Sequence, residues 1–144
     1  MQRHGAAVVL YQKNEILIVK HKLPSRHFAG VYTIPGGETE HYDEDTENTA
    51  VREVKEETGL DVNRENICKL GHYDFTMGRK VGMEELSVDL YSCNKFGGEL
   101  REGDETIPIW VKIEDFISGK YPLPYMSGDF SSGINNFLKK VMNE

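Results

Sequence analysis

The chain has 144 residues, 38% hydrophobic and 28% charged, with a net charge of −7. That length suits one domain, residues 1–144, with a core of its own and the make-up of an ordinary soluble protein. The acidic balance argues against binding long nucleic acid, which needs a basic face, but leaves room for a polyphosphate bridged by a divalent cation.

No apolar run approaches the roughly 20 residues that span a bilayer, so no membrane partner is expected. The opening MQRHGAAVV lacks the long apolar region of a signal peptide, and the expected location is the cytoplasm. Cys68 and Cys93 match no zinc or redox spacing and read as reduced thiols.

In chain order, GAAVVLYQ and EILIVKH are two β-rich runs separated by KN, hence neighbouring strands on a tight turn. In LPSRHFAGVYTIPGG, a short strand VYTI is stopped by Pro35 and two glycines. DEDTENTAVREVKEETG reads as a helix capped by Asp45 or Thr46 and ended by Gly59. KLGHYDFTM and ELSVDLYSC alternate like strands, with GRKVGM between them. NKFGGELREGDE is a polar loop, IPIWVKI a strand and IEDFISG the start of a short helix. SSGINNFLKKVMNE has the period of a C-terminal helix. Intermixed strands and helices without an internal repeat point to an α/β sandwich around a mixed sheet.

Residues 38–57 hold nine of the 24 acidic residues. At about 100° per residue, Ala50, Val51, Val54 and Thr58 share one side of the helix, and Glu53, Glu56 and Glu57 fall together beside it. Three carboxylates at this spacing repel one another, and near a helix C-terminus they also oppose its dipole. Such a cluster is either fully wet or set against a hard cation. Carboxylates are the natural ligands of Mg²⁺, which commonly bridges protein acids to phosphates. Gly36 and Gly37 ahead of the helix allow a close approach of backbone to a ligand. A glutamate-rich helix alone is usually a solvated face, and a Pro-Gly-Gly turn alone is usually only a turn. Their joint arrangement carries the signal.

That arrangement resembles the Nudix box, G-x5-E-x7-R-E-U-x-E-E-x-G-U, with U a bulky apolar residue. Glu44, Arg52, Glu53, Val54, Glu56, Glu57, Gly59 and Leu60 match it. One departure is visible: six residues, not five, separate Gly37 from Glu44. The register is therefore anchored on the helix, where the match is unbroken.

The resemblance implies a Nudix-type α/β/α sandwich and hydrolysis of a phosphoanhydride linked to a nucleoside or related group. It implies that Glu53, Glu56 and Glu57, with the Gly37 carbonyl, hold Mg²⁺, with Mn²⁺ as a substitute. Arg52 would orient the glutamates through a bidentate salt bridge. The general base would be a box glutamate, Glu53 first, or an acid of the loop before IPIW, namely Glu102, Asp104 or Glu105. Arg26 is a candidate phosphate clamp or a neutral surface arginine. Tyr125 and Asp129 either stack on and read a base, in the manner of the MutT-type hydrolases, or belong to a surface loop with a helix cap.

The substrate expected from the resemblance is a nucleoside triphosphate, an oxidised 8-oxo-dGTP-like one included, split to monophosphate and pyrophosphate. ADP-ribose or another nucleotide sugar is the alternative, and a non-catalytic nucleotide sensor is the reading of another class. The expected partner is thus a small nucleotide, to a monomer or homodimer.

Overall fold

The computed structural model describes residues 2–22, 31–79, 82–123 and 128–144. The first two strands are β1 (Gln2–Gln12) and β2 (Glu15–His21), and Lys13 takes a φ of 50° in the turn between them. They pair only near that turn, at Tyr11↔Ile16 and Gln12↔Glu15. Further along, a different strand takes the free edge of β1. This is β4 (Gly36–Glu38), which follows the short β3 (Tyr32–Thr33) and runs antiparallel to Gly5–Ala7. The splaying of the first hairpin therefore brings the glycine pair onto a central strand of the sheet.

On its other edge β1 runs parallel to β7 (Gly82–Cys93), from Gln2↔Glu85 to Leu10↔Cys93. β7 in turn pairs antiparallel with β6 (Cys68–Arg79). β2 takes β9 (Thr106–Lys112), from Glu15↔Lys112 to His21↔Thr106. Among the described residues the result is a mixed seven-stranded sheet in the order β3-β2-β1-β7-β6, with β4 and β9 joined at β1 and β2. A separate pair is made by β5 (Leu60–Asp61) and β8 (Gly97–Gly98).

Alternation along β1 sorts its side chains into two layers. Ala6, Val8 and Leu10 pack with Ala50 and Val54 of α1 (Thr46–Thr58). Ala7 and Val9 face the opposite layer, with Phe116 of α2 (Ile113–Ile117) and Phe130, Ile134 and Leu138 of α3 (Gly128–Met142). All of these side chains are buried. Helices cover both faces, so the expected α/β/α sandwich around a mixed sheet is what the chain forms.

Several boundaries differ from the sequence reading: the two glycines expected to stop a strand themselves form β4, and the segment read as the polar loop NKFGGELREGDE contains β8. The β6–β7 pairing continues to Arg79↔Gly82, taking in residues assigned to the connection GRKVGM. α3 begins at Gly128, so Asp129 lies in its first turn and not in a tail before it. Among the described residues no helix is long and apolar enough to cross a membrane.

Candidate active site on helix α1

Local chemistry sets the limits of α1. The Asp45 side chain accepts from the Asn48 amide at 2.9 Å, and Gly59 closes the helix at φ 83°, its amide donating to the Lys55 carbonyl. A left-handed cap of this kind favours glycine. The buried stripe of Thr49, Ala50, Val54 and Thr58 fixes the rotation of the helix against the sheet. Val54 is fully buried, which stabilises the docking by about 1.5–3 kcal/mol.

That rotation lays Glu53 and Glu57 on the backbone of β4. The Gly36 amide donates to Glu57 Oε1 at 2.8 Å. A Cβ on Gly37 would stand 2.6 Å from Glu53 Cδ, and one on Gly36 would meet the Ala6 carbonyl and stand 2.9 Å from Ala7 Cα. Both glycines are therefore needed for packing, Gly36 against β1 and Gly37 against the glutamate.

Neither carboxylate ionises freely. Burial, with repulsion from Glu56 and Asp43 against the attraction of Arg52, pushes Glu53 up to about 7. Burial and the neighbouring Glu53 hold Glu57 well above the usual carboxylate range, despite the Gly36 amide. Glu56 is exposed.

Arg52 ties the cluster to the preceding loop. Its Nε and Nη2 fork onto the two oxygens of Asp43 at 3.1 and 2.8 Å, and Nη2 also donates to the Glu38 carbonyl at 3.0 Å. Nη1 reaches Glu53 Oε1 at 2.9 Å and Glu56 Oε2 at 3.3 Å. The fork thus falls on an aspartate of the loop, not on the helix glutamates as expected from the sequence. Asp43 also accepts from Thr49 Oγ1 at 3.0 Å and the Glu40 amide at 2.9 Å, and Arg52 pulls its pKa down to about 2. Glu44, matched to the box from the helix side, is exposed. Five intervening residues after Gly37 lead to Asp43, so the extra residue lies between Asp43 and Arg52 and leaves Gly37 in place. That count was the available signal for Asp43.

Glu105 stands in the loop ahead of β9, exposed, and close enough to Glu57 for its charge to raise the Glu57 pKa. The loop is fastened to the end of α1: Thr106 Oγ1 donates to the Glu57 carbonyl at 2.9 Å and the Arg101 amide to the Thr58 carbonyl at 2.9 Å. Glu102 and Asp104 are exposed in the same loop. Asp129 is exposed in the first turn of α3. Arg26 and Tyr125 lie outside the described residues.

Among the described residues no three acidic, histidine or cysteine side chains converge as a ready cage for a metal ion. The donor set nevertheless fits a hard divalent cation. It consists of carboxylate oxygens whose ionisation is opposed by burial and by one another, two costs that a cation would offset.

A second polar cluster binds the start of α1 to the sheet. His72 Nδ1 lies 2.6 Å from Asp89 Oδ1, and His72 Nε2 lies 2.9 Å from Ser87 Oγ. Thr46 Oγ1 donates to Asp89 Oδ2 at 2.6 Å, which leaves Tyr91 to donate to Thr46. The contacts follow the order of a nucleophilic triad. Ser87 is buried on a strand paired on both edges, however, where its backbone amide offers nothing to an oxyanion. This cluster is a clamp.

A family model described as NUDIX domain matches residues 1–129. The chain belongs to the NUDIX family. It is 34% identical over 97 residues to the ADP-ribose pyrophosphatase of Methanocaldococcus jannaschii, covering 67% of this chain and 53% of that protein. It is 26% identical over 153 residues to peroxisomal coenzyme A diphosphatase 1 of Saccharomyces cerevisiae, covering 99% and 45%. The chain thus spans about half the length of these curated relatives. Its NUDIX fold is similar to a solved MutT from a study of Aliivibrio salmonicida and Vibrio cholerae, with TM-score 0.69, 26% identity, and 99% and 98% of the two chains covered.

Proposed function

We propose that this NUDIX chain hydrolyses a phosphoanhydride bond in a nucleotide-linked compound with the help of a divalent cation. The observation that carries the reading is the packing of Glu53 and Glu57 onto the Gly36–Gly37 backbone, with Arg52 beside them. A binding module for a nucleotide has no use for acids held at such an electrostatic cost.

In this reading Glu53, Glu56 and Glu57, with the Gly37 carbonyl, hold Mg²⁺ or Mn²⁺. The cation supplies neutralisation of the phosphate oxygens and polarisation of the bond to be cleaved. Phosphoryl transfer needs chiefly positioning and charge stabilisation, so no covalent nucleophile is required. Glu53 is the first choice for the general base, and Glu105, whose charge reaches Glu57, is the loop candidate. Arg52 holds Glu53 in place.

The substrate read first is a nucleoside triphosphate, an oxidised one included, giving monophosphate and pyrophosphate. Its support is the full-length likeness to a MutT structure, 99% of this chain against 98% of that one. ADP-ribose is the second reading, favoured by the 34% identity to an ADP-ribose pyrophosphatase.

A nucleotide panel with Mg²⁺, analysed for products, tests both. Activity should vanish in EDTA and return with Mg²⁺ or Mn²⁺. Full turnover in chelator would refute the site.

A further inference from the structure

Helix α1 ends with its acidic turn against the loop of residues 99–106, and the contact is made mostly by backbone. Gly103 lies so close that a Cβ there would meet the Glu56 carbonyl and stand 3.3 Å from Glu57 Cα. The last carbonyls of a helix lack partners within it, and here Thr106 and Arg101 supply two of them. What keeps the loop folded over this turn comes from the end of the neighbouring strand β2. Lys22, the residue after β2, donates its amide to the Glu105 carbonyl at 2.7 Å. Its Nζ donates to the Gly103 carbonyl at 2.9 Å and pairs with Glu102 Oε1 at 2.9 Å.

These contacts are unequal. Glu102 is 61% exposed, and an ion pair of that kind contributes little. The bond to Gly103 is half-buried, charge-assisted and aimed at the residue in tightest contact with α1. The amide bond to Glu105 survives any change of side chain, so the side chain controls Gly103 and the amide controls the strand end.

We propose that Lys22 is a positioning residue: its ammonium, bonded to the Gly103 carbonyl, clamps the 99–106 loop onto the last turn of α1 and so steadies the loop that carries Glu105 near Glu57. The proposal rests on the functional reading above, in which Glu105 takes part in hydrolysis. Lys22 does not touch the reacting atoms. Loss of its side chain frees the loop without disturbing the sheet, because Lys22 lies beyond the last paired residue of β2, His21.

The test is a double-mutant cycle on the full chain with Mg²⁺ and the best nucleotide of the panel, together with amide exchange in the cation-free protein. Lys22→Met should lower kcat by about tenfold with KM changed less than twofold, and Lys22→Arg should restore most of the rate. In a Glu105→Gln background, Lys22→Met should cost less than twofold more, since the two residues act through one another. Exchange of the Gly103 amide, which donates to Thr106, should quicken at least tenfold in Lys22→Met while amides of β1 and β7 hold. An unchanged kcat, a full tenfold loss in the Glu105→Gln background, or unchanged exchange at Gly103 would overturn the clamp. If the wild-type chain cleaves no phosphoanhydride, the functional reading fails by itself, and amide exchange still decides whether Lys22 holds the loop.

Discussion

Asp43→Asn tests the register of the whole acidic loop, because spacing counted back from the helix matches Glu44 to the box whereas the structure seats Asp43 on Arg52. In the structure Asp43 accepts four hydrogen bonds, two of them from the Arg52 guanidinium. Its pKa falls from 3.8 to about 2, chiefly through Arg52. That difference corresponds to about 2.4 kcal/mol favouring the charged form in the folded state, trimmed by solvent screening to about 1–2 kcal/mol. The asparagine also turns a donor toward a guanidinium that can only donate, so the expected total is about 2 kcal/mol at pH 7. In urea denaturation of the EDTA-treated protein, Asp43→Asn should lose this amount, or about 4–8 °C in Tm. Glu44→Gln, at an exposed position, should stay within about 0.5 kcal/mol of wild type. The pH dependence has a definite sign. A depressed folded-state pKa gives stability that is present above the unfolded value and lost as pH falls through about 2, so the gap between wild type and Asp43→Asn should close to roughly half by pH 3. A silent Asp43→Asn beside a costly Glu44→Gln would refute the structural register and restore the spacing counted from the helix.

Glu57→Gln keeps the bond from the Gly36 amide but removes the charge, so turnover should fall by more than about 100-fold while the cation-free Tm holds or rises; near-normal turnover would move the site elsewhere. Gly36→Ala and Gly37→Ala should separate fold from function. The first drives a methyl into the β1 backbone and should destabilise by about 2–4 kcal/mol, whereas the second displaces the Glu53 side chain and should cost mainly activity, as paired urea melts and rate assays would show. Without cation, Glu53 binds a proton more tightly folded than unfolded, so its stabilisation is present below about 4.5 and is lost as pH rises through about 7. Thermal melts in EDTA should therefore fall from pH 5 to pH 8, less so in Glu53→Gln, with Mg²⁺ restoring Tm at pH 8; a wild-type Tm that climbs over that range in EDTA contradicts the burial of these acids.

The helix that carries the site was legible in the sequence because its determinants are local. Asp45 caps within three residues, Gly59 ends the helix by its own backbone freedom, and the spacing of Ala50, Val54 and Thr58 decides which side is buried. With that side fixed, Glu53, Glu56 and Glu57 had to fall together, whatever lay across from them. Alternation likewise showed strands in β1 and β2, but their pairing was another matter. β-rich neighbours on a tight turn suggest a full hairpin, yet β1 leaves β2 after two pairs to join β4 and the distant β7, because the backbone groups along both edges of a buried strand must be paired and strands from elsewhere in the chain pair them. The partner of Arg52 was decided in space too. Spacing counts residues along the backbone, whereas the fork depends on where the loop turns, and the Glu40–Asp43 turn brings Asp43 to the guanidinium and leaves Glu44 in solvent. The clamp of Lys22 on Gly103 joins residues 81 apart in the chain. Neither residue has a local pattern that announces the other; only the packing of β2 beside β9 brings them within reach.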